Sequence, residues 1–145
     1  MKIAGTQFTL KDRAFEIYIS GCSIHCKGCH NPELWDFNYG EELTIDYISD
    51  LIDKIEDAGK LVKEIRILGG EPLQNNQDEL LDLILDLKLF FCGDIKFVLF
   101  TGFDLKEVPH WCLDVFDSVK YGRYIEELRV DGQDYASSNQ GVWIK

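Results

Sequence analysis

The chain has 145 residues, 46% of them hydrophobic, and a formal net charge of -11. That size suits one domain, 1–145, with a sizeable core, and the acidic balance excludes a protein built to grip a phosphate backbone. No apolar stretch approaches the length that spans a bilayer and no arginine-flanked apolar leader is present, so a cytoplasmic protein without nucleic-acid or membrane partners is expected.

The opening Lys2 to Leu10 alternates weakly and is expected to pair as a hairpin with Ala14 to Ser20, an apolar run that ends on Gly21. Directly after it comes Gly21-Cys22-Ser23-Ile24-His25-Cys26-Lys27-Gly28-Cys29-His30-Asn31-Pro32. A 4Fe-4S cubane normally takes four cysteines. The CxxxCxxC spacing of Cys22, Cys26 and Cys29 offers three thiolates and leaves one corner open, where a small substrate or cosubstrate fits. Zinc held by the trio with His25 or His30 is the main alternative, although zinc sites more often use paired CxxC knuckles. A redox dithiol needs only two of the three, and a disulfide framework suits a secreted chain, whereas five cysteines with three clustered fit a reducing compartment. His25 reads as a surface loop residue. Trp35 and Phe37 read as packing over the cysteine loop, which shields a cluster and tunes its potential.

From Thr44 to Lys60 the residues Ile45, Ile48, Leu51, Ile52 and Ile55 recur at helical spacing, with Thr44 as cap, Gly59 as stop and a solvated acidic face through Asp46, Asp50, Asp53, Glu56 and Asp57. Ile65 to Leu68 reads as a buried strand closing on Gly69-Gly70-Glu71-Pro72, and Asp78 to Phe90 as a strongly apolar helix. Ile95 to Phe100 is a further strand, closing on Thr101-Gly102-Phe103. A less regular helical piece over Leu105 to Leu113 leads to a strand over Val115 to Val119, closing on Tyr121-Gly122-Arg123, and Val142 to Ile144 adds a last strand. Cys92 and Cys112 read as buried thiols, either of which would complete the cluster of a simple electron carrier. His110 reads as carrying no role.

Strand alternating with helix implies parallel strands joined by crossovers. The expected class is α/β, as a partial, open βα barrel, since a full eight-stranded barrel takes about 250 residues. Four strands each run into a glycine at the carboxyl end, so the cysteines, the Gly-Gly-Glu-Pro, the Thr-Gly-Phe and the Tyr-Gly-Arg gather on the rim where such sheets bind ligands. An open flank leaves room for a segment of a large partner. The motifs hold no paired carboxylates and no nucleophile-base arrangement of the kind hydrolases use.

The cysteine loop followed one βα unit later by Gly69-Gly70-Glu71-Pro72 resembles the radical S-adenosylmethionine superfamily. The stretches Ser20 to Phe37, Leu68 to Leu73 and Phe100 to Phe103, with Ser137-Ser138-Asn139-Gln140 near the end, are similar to the family that activates the anaerobic ribonucleoside-triphosphate reductase. Leu10-Lys11-Asp12-Arg13 replaces that family's frequent Asn-Gly-Pro-Gly loop, Tyr135-Ala136 its Trp-Arg-Gly approach, and Gly141 the arginine that often follows Asn-Gln. The resemblance implies that Cys22, Cys26 and Cys29 ligate a 4Fe-4S cluster whose fourth iron S-adenosylmethionine chelates. It also implies that Gly69, Gly70 and Glu71 meet the methionine amino group, and that Gly28, His30 and Thr101 contribute to the cofactor site. The implied partners are the large subunit of the anaerobic reductase, on which a glycyl radical is installed, and a flavodoxin or ferredoxin as electron donor. An activator of a formate-lyase type enzyme would share every cluster residue.

Overall fold

The computed structural model describes residues 1–91, 93, 95–133 and 135–145; Cys92 lies outside the described residues. Strands β1 (Lys2–Thr9) and β2 (Ala14–Ile19) form the expected antiparallel hairpin, with Phe8 opposite Phe15 and Thr9 opposite Ala14. Its turn passes through Arg13 at φ 56, whose guanidinium donates to the carbonyls of Leu61 and Lys60 at 3.0 and 2.9 Å. A two-residue strand, β3 (Glu41–Glu42), pairs with β1 and has no counterpart among the expected elements.

Helix α1 spans Ile45–Ala58. Thr44 Oγ1 accepts from the N–H of Tyr47 at 3.1 Å, and Gly59 ends the helix at φ 56, a backbone conformation open to glycine at little cost. Leu51, Ile52 and Ile55 are buried as the spacing requires, but Ile45, assigned to the same apolar face, is 86% exposed. It is the first residue of the helix, where the chain has only just turned onto the sheet side.

The remaining elements are β4 (Glu64–Gly69), α2 (Gln77–Phe90), β5 (Lys96–Phe100), α3 (His110–Val115), β6 (Ser118–Tyr121) and β7 (Gly141–Ile144). Asn76 caps α2 by accepting from the N–H groups of Asp78 and Glu79. The strand expected over Val115 to Val119 is displaced: α3 continues to Val115 and the strand begins at Ser118. A run this short buries apolar residues equally well as helix or strand, so period alone does not separate the two.

The seven strands make one sheet in the order β3-β1-β2-β4-β5-β6-β7. β2, β4, β5 and β6 are parallel, while β1, β3 and β7 are antiparallel additions. The fold is thus mixed α/β, parallel only through its middle, and the sheet does not close, because its end strands β3 and β7 are not paired with each other.

Alternation along the strands divides the two faces. Phe15, Ile17, Ile19, Ile65, Ile67, Phe97, Leu99 and Val119 join Leu51, Ile55, Leu80, Leu83, Ile84 and Leu87 of the helices in one apolar core. Their neighbours in sequence, Glu16, Tyr18, Arg66, Phe100 and Lys120, point to the other face. There Arg66 pairs with Asp12 at 3.0 Å and Glu16 at 3.2 Å and also with Glu64, and Tyr18 donates to Glu16 at 2.7 Å. No helix among the described residues is long and apolar enough to cross a membrane.

Candidate functional site

The loop that carries the cysteines is pinched shut at its base. Gly21 N–H donates to the Leu34 carbonyl at 2.8 Å and Cys22 N–H to the Trp35 carbonyl at 3.2 Å, so residues 21 to 35 leave and re-enter the sheet edge at one point. Gly21 stands at φ 99 with the Phe37 ring where a Cβ would lie, 2.1 Å from its nearest atom. His25 and Gly28 take positive φ values of 51 and 73, which fold the intervening residues into a tight turn.

Within that turn Cys22 is 8% exposed, and the nearby main-chain amides of Ile24 and His25 at its thiol, and of Tyr124 at the Cys26 thiol, favour the thiolate electrostatically. Burial pushes both thiols up from their ordinary value, and the amide donors work against it. Amides near a sulfur fit a thiolate bound to metal, whose charge those dipoles stabilise. All three cysteines line one cleft, and cysteine thiolates are the ligands that hold an iron-sulfur cluster. Cys112 sits instead in the apolar core, fully buried and with its thiol pushed up to about 12, as an inert core residue.

The turn after β4 is locked against this loop. Parallel pairing extends past Ile19 opposite Gly69, with Gly70 N–H donating to the Ile19 carbonyl and Glu71 N–H to the Gly21 carbonyl, both at 2.8 Å. Gln74 exchanges two 2.8 Å bonds with Ser23, and Asn75 donates to the Ser20 carbonyl at 3.0 Å. A Cβ on Gly70 would lie 2.6 Å from the Gly21 oxygen and 2.7 Å from that of Leu34, which are backbone atoms with no freedom to yield. Gly70→Ala is therefore expected to cost about 1–3 kcal/mol as an overpacked site and to open the base of the cysteine loop. Anaerobic reconstitution of this variant should give iron content well below the parent's, alongside a lower urea midpoint.

Glu71 is 1% exposed and its carboxylate accepts three bonds: from Leu73 N–H at 3.1 Å, Thr101 Oγ1 at 2.8 Å and Gly102 N–H at 2.6 Å. It thus ties the end of β4 to the end of β5. Desolvation nevertheless holds its carboxyl above the ordinary range, because three neutral donors do not fully replace water around a buried charge.

Tyr124, Glu126 and Glu127, between the Tyr-Gly-Arg and Ser-Asn-Gln stretches that the sequence marked, cover the cysteine loop from the other side. The Tyr124 ring packs at 5.3 Å from that of His30, Lys27 pairs with Glu127 at 3.0 Å, and the Glu126 carboxylate sits where a Gly28 Cβ would be, 2.5 Å away. The Ser-Asn-Gln stretch holds this cover down. Ser137 Oγ accepts from Ile125 N–H at 3.2 Å, Asn139 donates to the Arg123 carbonyl at 2.8 Å, and Gln140 donates to the Gly122 carbonyl at 2.7 Å while accepting from Ala136 and Ser137. Replacing Gln140 by alanine removes three bonds at once. The expected result is a cover loosened by about 1–3 kcal/mol, read as faster hydrogen exchange at Tyr124 and Ile125 with the core amides unchanged.

The loops surround a cleft of about 740 Å³ lined by Cys22, Cys26, Cys29, His30, Gly69, Gly70, Glu71 and Thr101, and floored by Arg66, Phe100 and Lys120 of the sheet. The cysteine trio, His30, Gly69, Gly70, Glu71 and Thr101 all reach this cleft; Gly28 lies beneath Glu126, and His25 and Cys112, considered as further ligands, do not line it. Gln140 of the Ser-Asn-Gln stretch also lines the cleft, as do Tyr124 and Arg66, which sequence reasoning missed.

The family described as a 4Fe-4S single cluster domain matches residues 12–143. The chain is also similar to the anaerobic ribonucleoside-triphosphate reductase-activating protein of Vibrio cholerae serotype O1, 28% identical over 131 residues that cover 87% of this chain and 84% of that protein. The protein of the same name from Escherichia coli K12 gives the same identity and coverage. That of Enterobacteria phage T4 is 24% identical over 129 residues, covering 88% of this chain and 81% of the phage protein.

Proposed function

The chain belongs to the family described as a 4Fe-4S single cluster domain, and from that premise we propose that it is a radical S-adenosylmethionine enzyme that activates an anaerobic ribonucleoside-triphosphate reductase. On this reading residues 1–145 form one domain of the superfamily's open βα barrel type. The observation that carries the reading is the convergence of Cys22, Cys26, Cys29 and the Gly69-Gly70-Glu71 turn on one cleft at the carboxyl ends of the parallel strands. Relatives that bear the activating-protein name over most of their length support the choice of partner.

Cys22, Cys26 and Cys29 would hold three irons of a 4Fe-4S cluster, and the methionine end of S-adenosylmethionine would take the open corner. When bound, the cluster supplies one electron to the sulfonium, so that a carbon-sulfur bond breaks to give methionine and a 5'-deoxyadenosyl radical. What the chain contributes is binding, placement and exclusion of water. The bare main chain at Gly69 and Gly70 admits the amino end of the methionine. Glu71, buried with neutral donors only, supplies a negative charge that an ammonium group satisfies better than they do. Thr101 keeps that carboxylate oriented, and His30 lines the same wall. Gly28 acts through its positive φ, which lets the cover close over the loop.

The substrate would be a glycine Cα–H in a loop of the large reductase subunit, entering along the face of the sheet that bears no helices. A flavodoxin or ferredoxin would donate the electron. The test mixes the reduced, cluster-loaded protein and S-adenosylmethionine with an anaerobic reductase or, separately, a formate-lyase type enzyme. A glycyl radical doublet in the electron paramagnetic resonance (EPR) spectrum is expected with the reductase. A doublet with the lyase alone overturns the choice of partner.

A further inference from the structure

Arg66 lines the cleft that the cysteines share, on the bare face of the sheet and about 10 Å along β4 from Gly69. Three carboxylates hold its guanidinium: Nε donates to Glu64, and Nη1 donates to Asp12 at 3.0 Å and to Glu16 at 3.2 Å. The Tyr18 hydroxyl fixes Glu16 in turn, at 2.7 Å, and Cζ of Arg66 lies 5.9 Å from the centre of the Phe100 ring. A guanidinium has five N–H donors, and these bonds leave the pair on Nη2 without an acceptor among the described residues. That pair stays open to solvent although the side chain is only 13% exposed; the unpaired side-chain atoms that are sealed from solvent are Ser20 Oγ and Trp35 Nε1.

The surroundings of Nη2 select what it can hold. One positive charge among three negative ones repels an incoming carboxylate or phosphate, and an ammonium has no lone pair to accept an N–H. A neutral acceptor remains. Closing the sheet face does not explain the network, since apolar side chains do that at less cost than desolvated charges. What three carboxylates achieve is a planar donor fork fixed in one place. Under the proposed function the substrate is a glycine, which offers no side chain to grip, so a site that places its Cα–H has to hold main-chain groups beside it.

We propose that Nη2 of Arg66 donates to a main-chain carbonyl in the glycine-bearing loop of the large reductase subunit and so anchors that loop over the floor of the cleft. The assignment rests on the reading of this chain as the reductase's activator. Arg66 is an anchoring residue and takes no part in the radical chemistry.

Arg66→Lys keeps a positive charge among the carboxylates and loses the fork. Parent and variant, loaded without oxygen and matched for iron, are compared by S-adenosylmethionine affinity, by 5'-deoxyadenosine release without the reductase, and by the rate of glycyl radical formation against reductase concentration. The expected result is a KM for the reductase raised tenfold or more in Arg66→Lys, with kcat, S-adenosylmethionine affinity and release without the reductase near the parent's, the pattern of lost binding alone. An unchanged KM overturns the anchor. A matching loss of S-adenosylmethionine affinity also overturns it, by placing Arg66 on the cosubstrate. A parent that gives no glycyl radical on the reductase overturns the proposed function and this assignment with it. Should Arg66→Lys fail to load iron, parent protein labelled with 15N at its arginine side chains carries the test. A synthetic peptide copying the reductase's glycine loop, at a concentration that stimulates 5'-deoxyadenosine release, should shift the Arg66 Nη signals and slow their exchange. Arg66 signals indifferent to that peptide overturn the assignment.

Discussion

Replacing any one of Cys22, Cys26 or Cys29 by alanine is expected to abolish the cluster, taking iron from about four per chain to background after anaerobic reconstitution. Cys112→Ala is expected to keep the full complement. The contrast follows from placement. The three loop thiols face one cleft and have near them, at Cys22 and Cys26, backbone N–H groups that favour the thiolate. Cys112 is enclosed by the apolar core and does not line that cleft; burial raises its thiol, as it raises those of Cys22 and Cys26, so placement makes the difference. Cys92→Ala, outside the described residues, is the matching control and is also expected to retain iron. Loss of the cluster in either control favours a four-cysteine electron carrier over an enzyme with an open iron.

Glu71 should give the second large effect, and its two substitutions should fail differently. Glu71→Ala strips the acceptor from Leu73 N–H, Thr101 Oγ1 and Gly102 N–H inside a site that is 1% exposed. Each donor left unpaired costs about 1–3 kcal/mol, so a loss of several kcal/mol and poor cluster uptake are expected. Glu71→Gln is the isostere of the protonated acid. Because burial holds the folded-state pKa of Glu71 above its ordinary 4.5, the unfolded chain ionises first as pH rises. The parent therefore loses stability relative to Glu71→Gln from that pH upward, until Glu71 is itself ionised in the folded state. Glu71→Gln is thus expected to fold and load iron, with a smaller loss than Glu71→Ala because its amide oxygen still accepts while its NH2 cannot take the place of the second acceptor. It also lacks charge: a hydrogen bond to a charged group contributes about 1.5–3 kcal/mol, so S-adenosylmethionine should bind roughly tenfold or more weakly by calorimetry. Equal affinity in parent and Glu71→Gln contradicts a Glu71–ammonium contact.

Legibility in the sequence was uneven for physical reasons. Thr44 and Gly59 marked α1 because capping is local chemistry, and the glycines at the strand ends marked the rim because neighbouring atoms, main chain at Gly69 and Gly70 and the Phe37 and Ile24 side chains at Gly21 and Gly102, occupy the place of a Cβ. Ile45 was misplaced because a period fixes the face of a helix but not how much of its first turn is covered. Val115 misled because α3 has six residues, too few to show a period. Tyr124, Glu126 and Glu127 went unseen as part of the site because they lie in an irregular segment with no repeat, although Arg123 before them and Ser137 to Gln140 after them had been marked. The unpaired nitrogen of Trp35 needs coordinates, since a residue name does not record whether its hydrogen bond is made.

The most direct measurement is electron-nuclear double resonance on the reduced, cluster-loaded protein with S-adenosylmethionine labelled by 15N at its amino group. Coupling between that nitrogen and the cluster, with a changed EPR spectrum on addition, is the expected result, because three thiolates leave one iron to be chelated. An unaltered spectrum without nitrogen coupling, from a cluster whose four irons all carry protein ligands, contradicts it.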